Sequence, residues 1–527
     1  TNYNTYYFAV SSITDARSGS GFESAISRVV NGEPKWVGPL WYVNEDQSSG
    51  SNKDGSPANP FREIQDAIDN VDPLSRTDGL KDTVLVLPGT YDRADDQELY
   101  FKYTEGSNQG QPKNIVLKSR DGAATTILNG EGSKRLFEIV DGTDTSLQII
   151  GFTISNGGEN DDYGGAIKIV GQSSWDNSTN QNVTNYSGVT FRDCIISDTH
   201  LTTNGPNAPA IRIDYGHARF INCKIKNNSN TAQNSETYGG VVRIESGSTV
   251  DFIGCELTDN ACINNNYSYA WGGVIFEGGY NNSKINIINS IIARNRVEVN
   301  GGSVGAAGGA LCLRGGTTTI INSTITDNES EFIGDDSREW GGAIFLNSWL
   351  GPPTKINIFN SIISGNTPIN DPIWIDGGAN VEHYISYSII QGEDANDFED
   401  GVFELEPQFL DSTYALHPRS PAIGTGAVES EDTDGNTIYA PTVDIAGNIR
   451  PNPADAGLYD GGEALPDLGA WEHELAVTPY PSPVENLTVT PLHKSVLLQW
   501  DYHQDGDINR YIAYFSEDSI SFTAADT

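Results

Sequence analysis

Three cations occupy one recurring position. Lys168, Arg212 and Arg243 each stand between two aliphatic residues, in Ile167-Lys168-Ile169, Ile211-Arg212-Ile213 and Val242-Arg243-Ile244. In later copies of the phrase that position holds Phe276, Cys312 and Phe345, and Trp374 of Ile373-Trp374-Ile375 continues the series. Strand alternation turns the flanking aliphatics inward and this position outward. Cations followed by aromatic rings on one outer face could line a groove for an acidic polysaccharide, the cations pairing with uronate carboxylates and the rings lying on sugar faces. Repetition alone also produces such columns as ordinary solvated or loop-covered residues, so both readings stand.

Other chemistry-bearing residues are sparser. Asp432-Thr433-Asp434-Gly435-Asn436 alternates oxygen ligands around a glycine, so Asp432, Asp434 and Asn436 are candidate Ca2+ ligands. Asp46 with Asp54-Gly55 is a looser case. Neither segment has the full EF-hand spacing, and a plain Asx turn accounts for both equally simply. Asp161-Asp162 and Asp335-Asp336 read as loop carboxylates. The histidines are scattered, the five cysteines lack zinc-type spacing, and the glycine pairs have no phosphate-loop spacing. No catalytic residue is assigned. Asn-x-Ser/Thr sequons fall at several positions, among them Asn177, Asn182, Asn185 and Asn322.

The elements that must position the column are repeats. Gly164-Gly165, Gly239-Gly240, Gly272-Gly273, Gly308-Gly309 and Gly341-Gly342 each open a short alternating run, the later ones at intervals of 33 to 36 residues. A second phrase keeps step, centred on Cys194, Cys223, Cys255, Ser290, Ser323 and Ser361, and is followed by Asn228, Asn260, Asn295, Asn328 and Asn366. Short strands, turn residues and the lack of intervening helices point to a coil of parallel strands, each pairing with its equivalent one turn along. Cys194, Cys223 and Cys255 should then stack, and the asparagines should form amide ladders. The run 60–71 has apolar residues at helical spacing behind Pro60 and reads as an N-terminal cap; 83–91 reads as the first coil.

Composition bounds the partners. Against 31 Lys+Arg stand 71 Asp+Glu, a formal net charge of −40. Such a chain does not bind nucleic acid by bulk charge, and no apolar run is long enough to span a bilayer. Extracellular divalent ions would relieve its self-repulsion.

Trp41-Tyr42-Val43, Asn59-Pro60-Phe61, Ile64-Gln65-Asp66-Ala67-Ile68 and Val86-Leu87-Pro88-Gly89-Thr90-Tyr91 resemble the opening of secreted bacterial right-handed parallel β-helix proteins of the pectin-lyase-like superfamily. Ser420-Pro421-Ala422-Ile423-Gly424, Asp444-Ile445-Ala446-Gly447-Asn448 and Asp467-Leu468-Gly469-Ala470-Trp471-Glu472 resemble the tail of choice-of-anchor surface proteins with that fold. The resemblance spans roughly 41–474. It implies an all-β solenoid and an extracellular, cell-surface setting. Relatives that are polysaccharide lyases use a Lys or Arg base, often with calcium, but no pectate-lyase, polygalacturonase or alginate-lyase signature is present.

The two ends differ from the middle. Val484–Val489, Ser495–Trp500 and Tyr511–Phe515 resemble the A, B and C strands of a fibronectin type III module, and Tyr6–Ser12 with Glu23–Val30 resemble its F and G strands. The expected organisation is therefore 1–32 as the second half of such a module, 33–474 as a β-helix with its N-cap at 41–90 and its tail at 400–474, and 475–527 as the first half. Copies would join head to tail through one completed sandwich, with Tyr7, Phe8, Val10, Ile26, Leu497, Trp500, Tyr511 and Tyr514 as assembly residues, and would form a filament, sheath or giant adhesin. A lyase or a glycan-binding protein acting along the outer face is the alternative.

Overall fold

The computed structural model describes residues 36–475, apart from 48–52, 93–97, 105, 141, 159–163, 177–180, 204–208, 234–235, 266–267, 280, 302–303, 334–338, 349–351, 377–379, 393–397, 400 and 452–463, together with short strands at both ends. Over the described residues the chain is a parallel β-helix with one α-helix, Ile64–Asn70. Each coil passes through three stacked parallel sheets. Sheet 1 runs from Leu40–Val43 to Val381–Ser386 in eleven strands, sheet 2 from Gly89–Asp92 to Val402–Phe403 in eleven, and sheet 3 from Leu99–Tyr100 to Ile373–Ile375 in nine. The expected first coil is preceded by one more rung: Leu40–Val43 pairs in parallel with Thr83–Val86, and the helix is an insertion between them. The alternation of Trp41 and Val43, both buried, is what makes that segment a strand.

The interior is built from in-register columns. Phe191, Phe220 and Phe252 stack through sheet 1 with ring centroids 5.3 and 5.2 Å apart, and Ile287, Ile320 and Ile358 continue the column. Each fully buried Phe or Ile contributes roughly 1.5–3 kcal/mol. At the corner between sheets 1 and 2 stand Cys194, Cys223 and Cys255, buried free thiols, and then serines: the backbone N–H of Cys255 donates to Ser290 Oγ, and those of Ser290, Ser323 and Ser361 donate to Ser323, Ser361 and Ser388. Burial pushes the Cys194 and Cys223 thiols far above their ordinary pKa, so they remain uncharged packing groups.

The amide ladder forms as expected. Asn228, Asn260, Asn295 and Asn328 each donate Nδ2 to the Oδ1 of the next asparagine, ending on Asn366, at 2.9–3.1 Å. The same Oδ1 atoms accept backbone N–H groups, as Asn295 Oδ1 does from Asn260. Asn295 Nδ2 also donates to Leu257 O. Replacing Asn295 with alanine leaves two donors of Asn260 buried without their acceptor and removes the Asn295 Nδ2 bond to Leu257 O. An expected loss of about 3 kcal/mol follows, readable as a lowered denaturant midpoint of the full chain.

Both ends of the solenoid are managed. The helix buries Ile64, Ala67 and Ile68 against the first rungs. Gln65 pairs its side-chain amide with the backbone N–H and C=O of Tyr100, so it completes the edge of sheet 3. Buried Lys113 donates to Ile68 O and Asp69 O and closes the helix C-terminus with a cation. At the other end the tail folds back over sheet 2: Leu416, Ala422, Ile423 and Leu468 cover Ile362 and Ile389, and Tyr414 and Ala470 cover Ile291 and Ala293.

Between sheets 2 and 3 several coils make an excursion. The chain leaves along a five-stranded parallel sheet, from His200–Thr203 to Glu329–Ile333, and returns along a four-stranded one, from Thr237–Tyr238 to Glu339–Trp340. Cys262, Ala270, Val297, Val299, Ala306 and Phe332 form the core between the two layers. The glycine pairs are where the return strand turns into sheet 3. Gly239, Gly272, Gly308 and Gly341 have φ between +63° and +74°, which favours glycine.

Candidate functional site

The predicted outer column exists. Glu138, Lys168, Arg212, Arg243, Phe276, Cys312, Phe345 and Trp374 are consecutive register partners across sheet 3. It is not an open groove. The return strands of the excursion lie on it: Trp271 and Ala307 bury Phe276, Cys312 and Phe345, and the Trp271 and Phe345 ring centroids are 5.6 Å apart. Phe276 and Phe345 are 1% and 2% exposed, so neither can meet a sugar face. Only Trp374, half-buried at the last rung, keeps part of its ring accessible. The alternation rule put these side chains outside the coil correctly. It could not reveal a second layer, because the covering strands are two residues long and lie between the phrases.

The cations are largely consumed within the protein. Lys168 pairs with Glu138. Arg212 Nη2 lies 2.9 Å from Glu245 and 3.2 Å from Asp214, and Arg243 Nε is 2.9 Å from Glu245. The Arg243 guanidinium also sits over the Tyr238 and Phe276 rings, and both Arg212 and Arg243 are 9% exposed. A uronate would have to displace buried carboxylates to reach either guanidinium, and breaking such pairs is costly. Upstream, Arg135 pairs with Glu98 at 2.8 Å, and burial raises the Glu98 carboxyl and pushes Tyr100 up to about 12.

The Asp432 segment is a closed turn. Asp432 Oδ1 accepts from the backbone N–H of Asp434 and Asn436, the Asn436 amide returns to the same carboxylate, and Lys355 Nζ lies 2.6 Å from Asp434. The oxygens proposed for calcium thus hold backbone donors and an ammonium. Asp444 caps the Ile445–Asn448 turn in the same way, and the shared Asp-x-x-Gly-Asn spacing was the readable signal for both. Asp54 likewise caps Ser56. Among the described residues no group of three or more His, Cys, Asp or Glu side chains could hold a metal ion. Asp161-Asp162 and Asp335-Asp336 lie outside the described residues.

The tail carries a second charged cluster. Buried Arg450 donates to Glu472 at 2.9 Å, to Asn289 Oδ1 at 3.0 Å and to Gly469 O at 3.1 Å. Asp467 accepts from Gly424 and His473 backbone N–H groups, and its carboxyl is pushed well up by burial and by Glu472. Asn322 and Asn360 donate to tail carbonyls at 2.9 and 2.7 Å. The cluster therefore latches the tail to the coils. Asn289, Asn322 and Asn360 also adopt left-handed φ at the sheet 1–sheet 2 corner. These asparagines fix the corner and clamp the tail, a role the repeat phrase alone did not reveal. Asn322, fully buried, is closed as a glycan acceptor.

Glu277 is the unanticipated residue. It stands in an inward column otherwise occupied by Ile169, Ile213, Ile244, Leu313 and Leu346. It is 1% exposed, it accepts backbone N–H groups from Gly279 and Arg314, and burial pushes its pKa up to about 8. A single acid among five aliphatics at one phrase position was the signal that could have found it.

Of the expected assembly residues, Leu497 is 44% exposed and Trp500 half-buried. Tyr7 and Phe8 lie in the strand Tyr6–Phe8, and Tyr514 in Ala513–Phe515. Val10, Ile26 and Tyr511 lie outside the described residues.

These features define a parallel β-helix protein with a covered outer face. No protein-family profile and no curated protein matches the chain. Among solved structures it is similar to the crystal structure of pectate lyase Pel9A, at 14% identity and a TM-score of 0.29, over 82% of this chain and 96% of that one. No helix among the described residues is long and apolar enough to cross a membrane.

Proposed function

We propose that the protein is a structural, non-catalytic element of an extracellular surface: a β-helical rod that joins its neighbours head to tail in a filament, sheath or adhesin. The observation that carries this reading is the covered column. Where a β-helix could present cations and rings to a polymer, this chain spends them on Glu138, Glu245, Asp214 and the Trp271 layer. Support for the joint comes from the ends. Tyr6–Phe8 pairs antiparallel with Val30–Gly32, and Thr488–Leu492 with Ser495–Gln499. On the latter hairpin Leu487 and Val489 are 54% and 57% exposed. Two-stranded hairpins with an open apolar face are marginal alone, and the complementary hairpin of an adjacent unit would cover that face.

Negative-stain electron microscopy of the purified chain tests the reading. Rods with an axial repeat, lost on Val489→Asp, are expected; isolated particles at every concentration would sink it. Incubation with polygalacturonate, followed by ultraviolet absorbance for unsaturated products, is expected to give none, and steady product formation would establish a lyase instead.

A further inference from the structure

One feature of the surface serves neither the rod nor its joint. Between Ile167–Val170 of sheet 3 and Ser187–Arg192 of sheet 1 the chain inserts an antiparallel hairpin, Gln172–Asp176 against Gln181–Asn185. Its residues are exposed almost throughout. At its root lies a hollow of about 420 Å³ lined by Gly110, Gly142, Gln172, Thr184, Asn185 and Tyr186. None of these residues is charged. Tyr186 is 37% exposed, and one face of its ring is backed by His217, with centroids 4.4 Å apart and planes 19° apart. Burial lowers the His217 pKa, so the backing ring is neutral at neutral pH. Further along the hairpin Trp175 is 53% exposed and stands opposite Asn182, and Ser173 stands opposite Thr184.

We infer that this hollow binds a neutral saccharide. The fixed Tyr186 ring, the primary amides of Gln172 and Asn185 and the Thr184 hydroxyl match the needs of a sugar: an apolar C–H face to stack and ring hydroxyls that both donate and accept. The two glycines bring bare backbone to the floor and leave room for a ring. A rigid aromatic anchor among Gly, Thr and Asn is the usual composition of an adaptable recognition surface. The absence of Lys or Arg from the hairpin, in a chain of net charge −40, selects against uronates, sulfated glycans and nucleic acid. The site uses no residue of the end-to-end joint and stands whether or not the rods assemble.

Affinity electrophoresis of the full chain tests this, in native gels containing hydroxyethylcellulose, xyloglucan, galactomannan or, as the acidic control, polygalacturonate. Retardation by at least one neutral polymer and none by polygalacturonate is expected. Tyr186→Ala should weaken it by at least about tenfold, as removal of a central aromatic anchor does; Tyr186→Phe, which keeps the ring, should retain most of it. Gln172→Ala, which leaves the Tyr186–His217 stack intact, should weaken it severalfold with unchanged thermal melting, so a misfolded Tyr186→Ala chain would not stand in for lost binding. Migration unaffected by every neutral polymer, retardation indifferent to Tyr186→Ala and Gln172→Ala, or preference for polygalacturonate would each overturn the inference.

Discussion

Gly273→Ala is expected to cost the solenoid on the order of 4 kcal/mol or more, a loss confined to a few named mechanisms. A Cβ at Gly273 would lie 1.9 Å from the carbonyl oxygen of Gly309 and 2.9 Å from its carbonyl carbon. Both are backbone atoms of the next coil, and Gly273 itself donates to Gly308 O at 2.9 Å. No rotamer relieves the contact; the corner has to open. The same approach recurs at Gly240, 2.0 Å from Gly273 O, and at Gly309, 2.1 Å from Gly342 O. In the pairs from Gly239 on, the first glycine answers to left-handed φ and the second to coil stacking, and two different reasons in adjacent residues are why the dipeptide repeats. Gly435→Ala provides the contrast: with φ +75° and nothing within 4 Å of its Cβ position, it should cost only about 1–2 kcal/mol. The tail latch reaches back to the coil of Asn289, beyond Gly273; elsewhere each coil touches only its neighbours, so a broken corner also uncouples the coils on either side. Denaturant unfolding of Gly273→Ala should show a lower first midpoint and two transitions; a single unshifted transition would refute the stacking argument.

The readable parts of the sequence and the unreadable parts divide for one physical reason. Whatever must be identical from coil to coil leaves a period. The glycine pairs, the Cys/Ser corner and the asparagine ladder are contacts between equivalent positions, so residue type at Asn260 constrains Asn228 and Asn295, and the fold followed from spacing. Contacts between unlike segments leave no period. The layer that closes the candidate groove uses Tyr238, Trp271, Ala307 and Trp340, register partners whose types vary and whose surrounding loops differ in length. The tail latch joins Arg450 to Asn289 across 161 residues. Outward direction was therefore legible for Phe276 and Phe345, and their burial was not. The Asp432 turn shows the converse: an alternating acidic pattern suggests a cation until the backbone donors that fill it are placed.

Glu277→Gln should gain stability relative to the parent as pH rises. Glutamate ionises near 4.5 in an unfolded chain and at about 8 in this site. Below 4.5 both states hold the proton and burial carries no ionisation penalty. Between 4.5 and 8 the unfolded chain releases the proton while the native state keeps it, so native stability falls as pH rises, and it levels off above 8. The rise from 4.5 to about 8 corresponds to at most about 5 kcal/mol. Glutamine cannot ionise, but it keeps an oxygen for only one of the N–H groups of Gly279 (on Oε1) and Arg314 (on Oε2) and sets its own NH2 against the other, at a cost of about 1–3 kcal/mol that does not change with pH. The variant should thus fall below the parent near pH 5 and gain on it steadily towards pH 8, with every other titrating group cancelling in the comparison. Glu277→Leu matches Leu313 and Leu346 in the column but strands two buried donors, each worth about 1–3 kcal/mol, so it should gain less than glutamine at pH 8 and lose to the parent at pH 5. A parent–glutamine difference that does not change with pH would mean that Glu277 is already ionised in the native coil, held by its backbone donors as an anion.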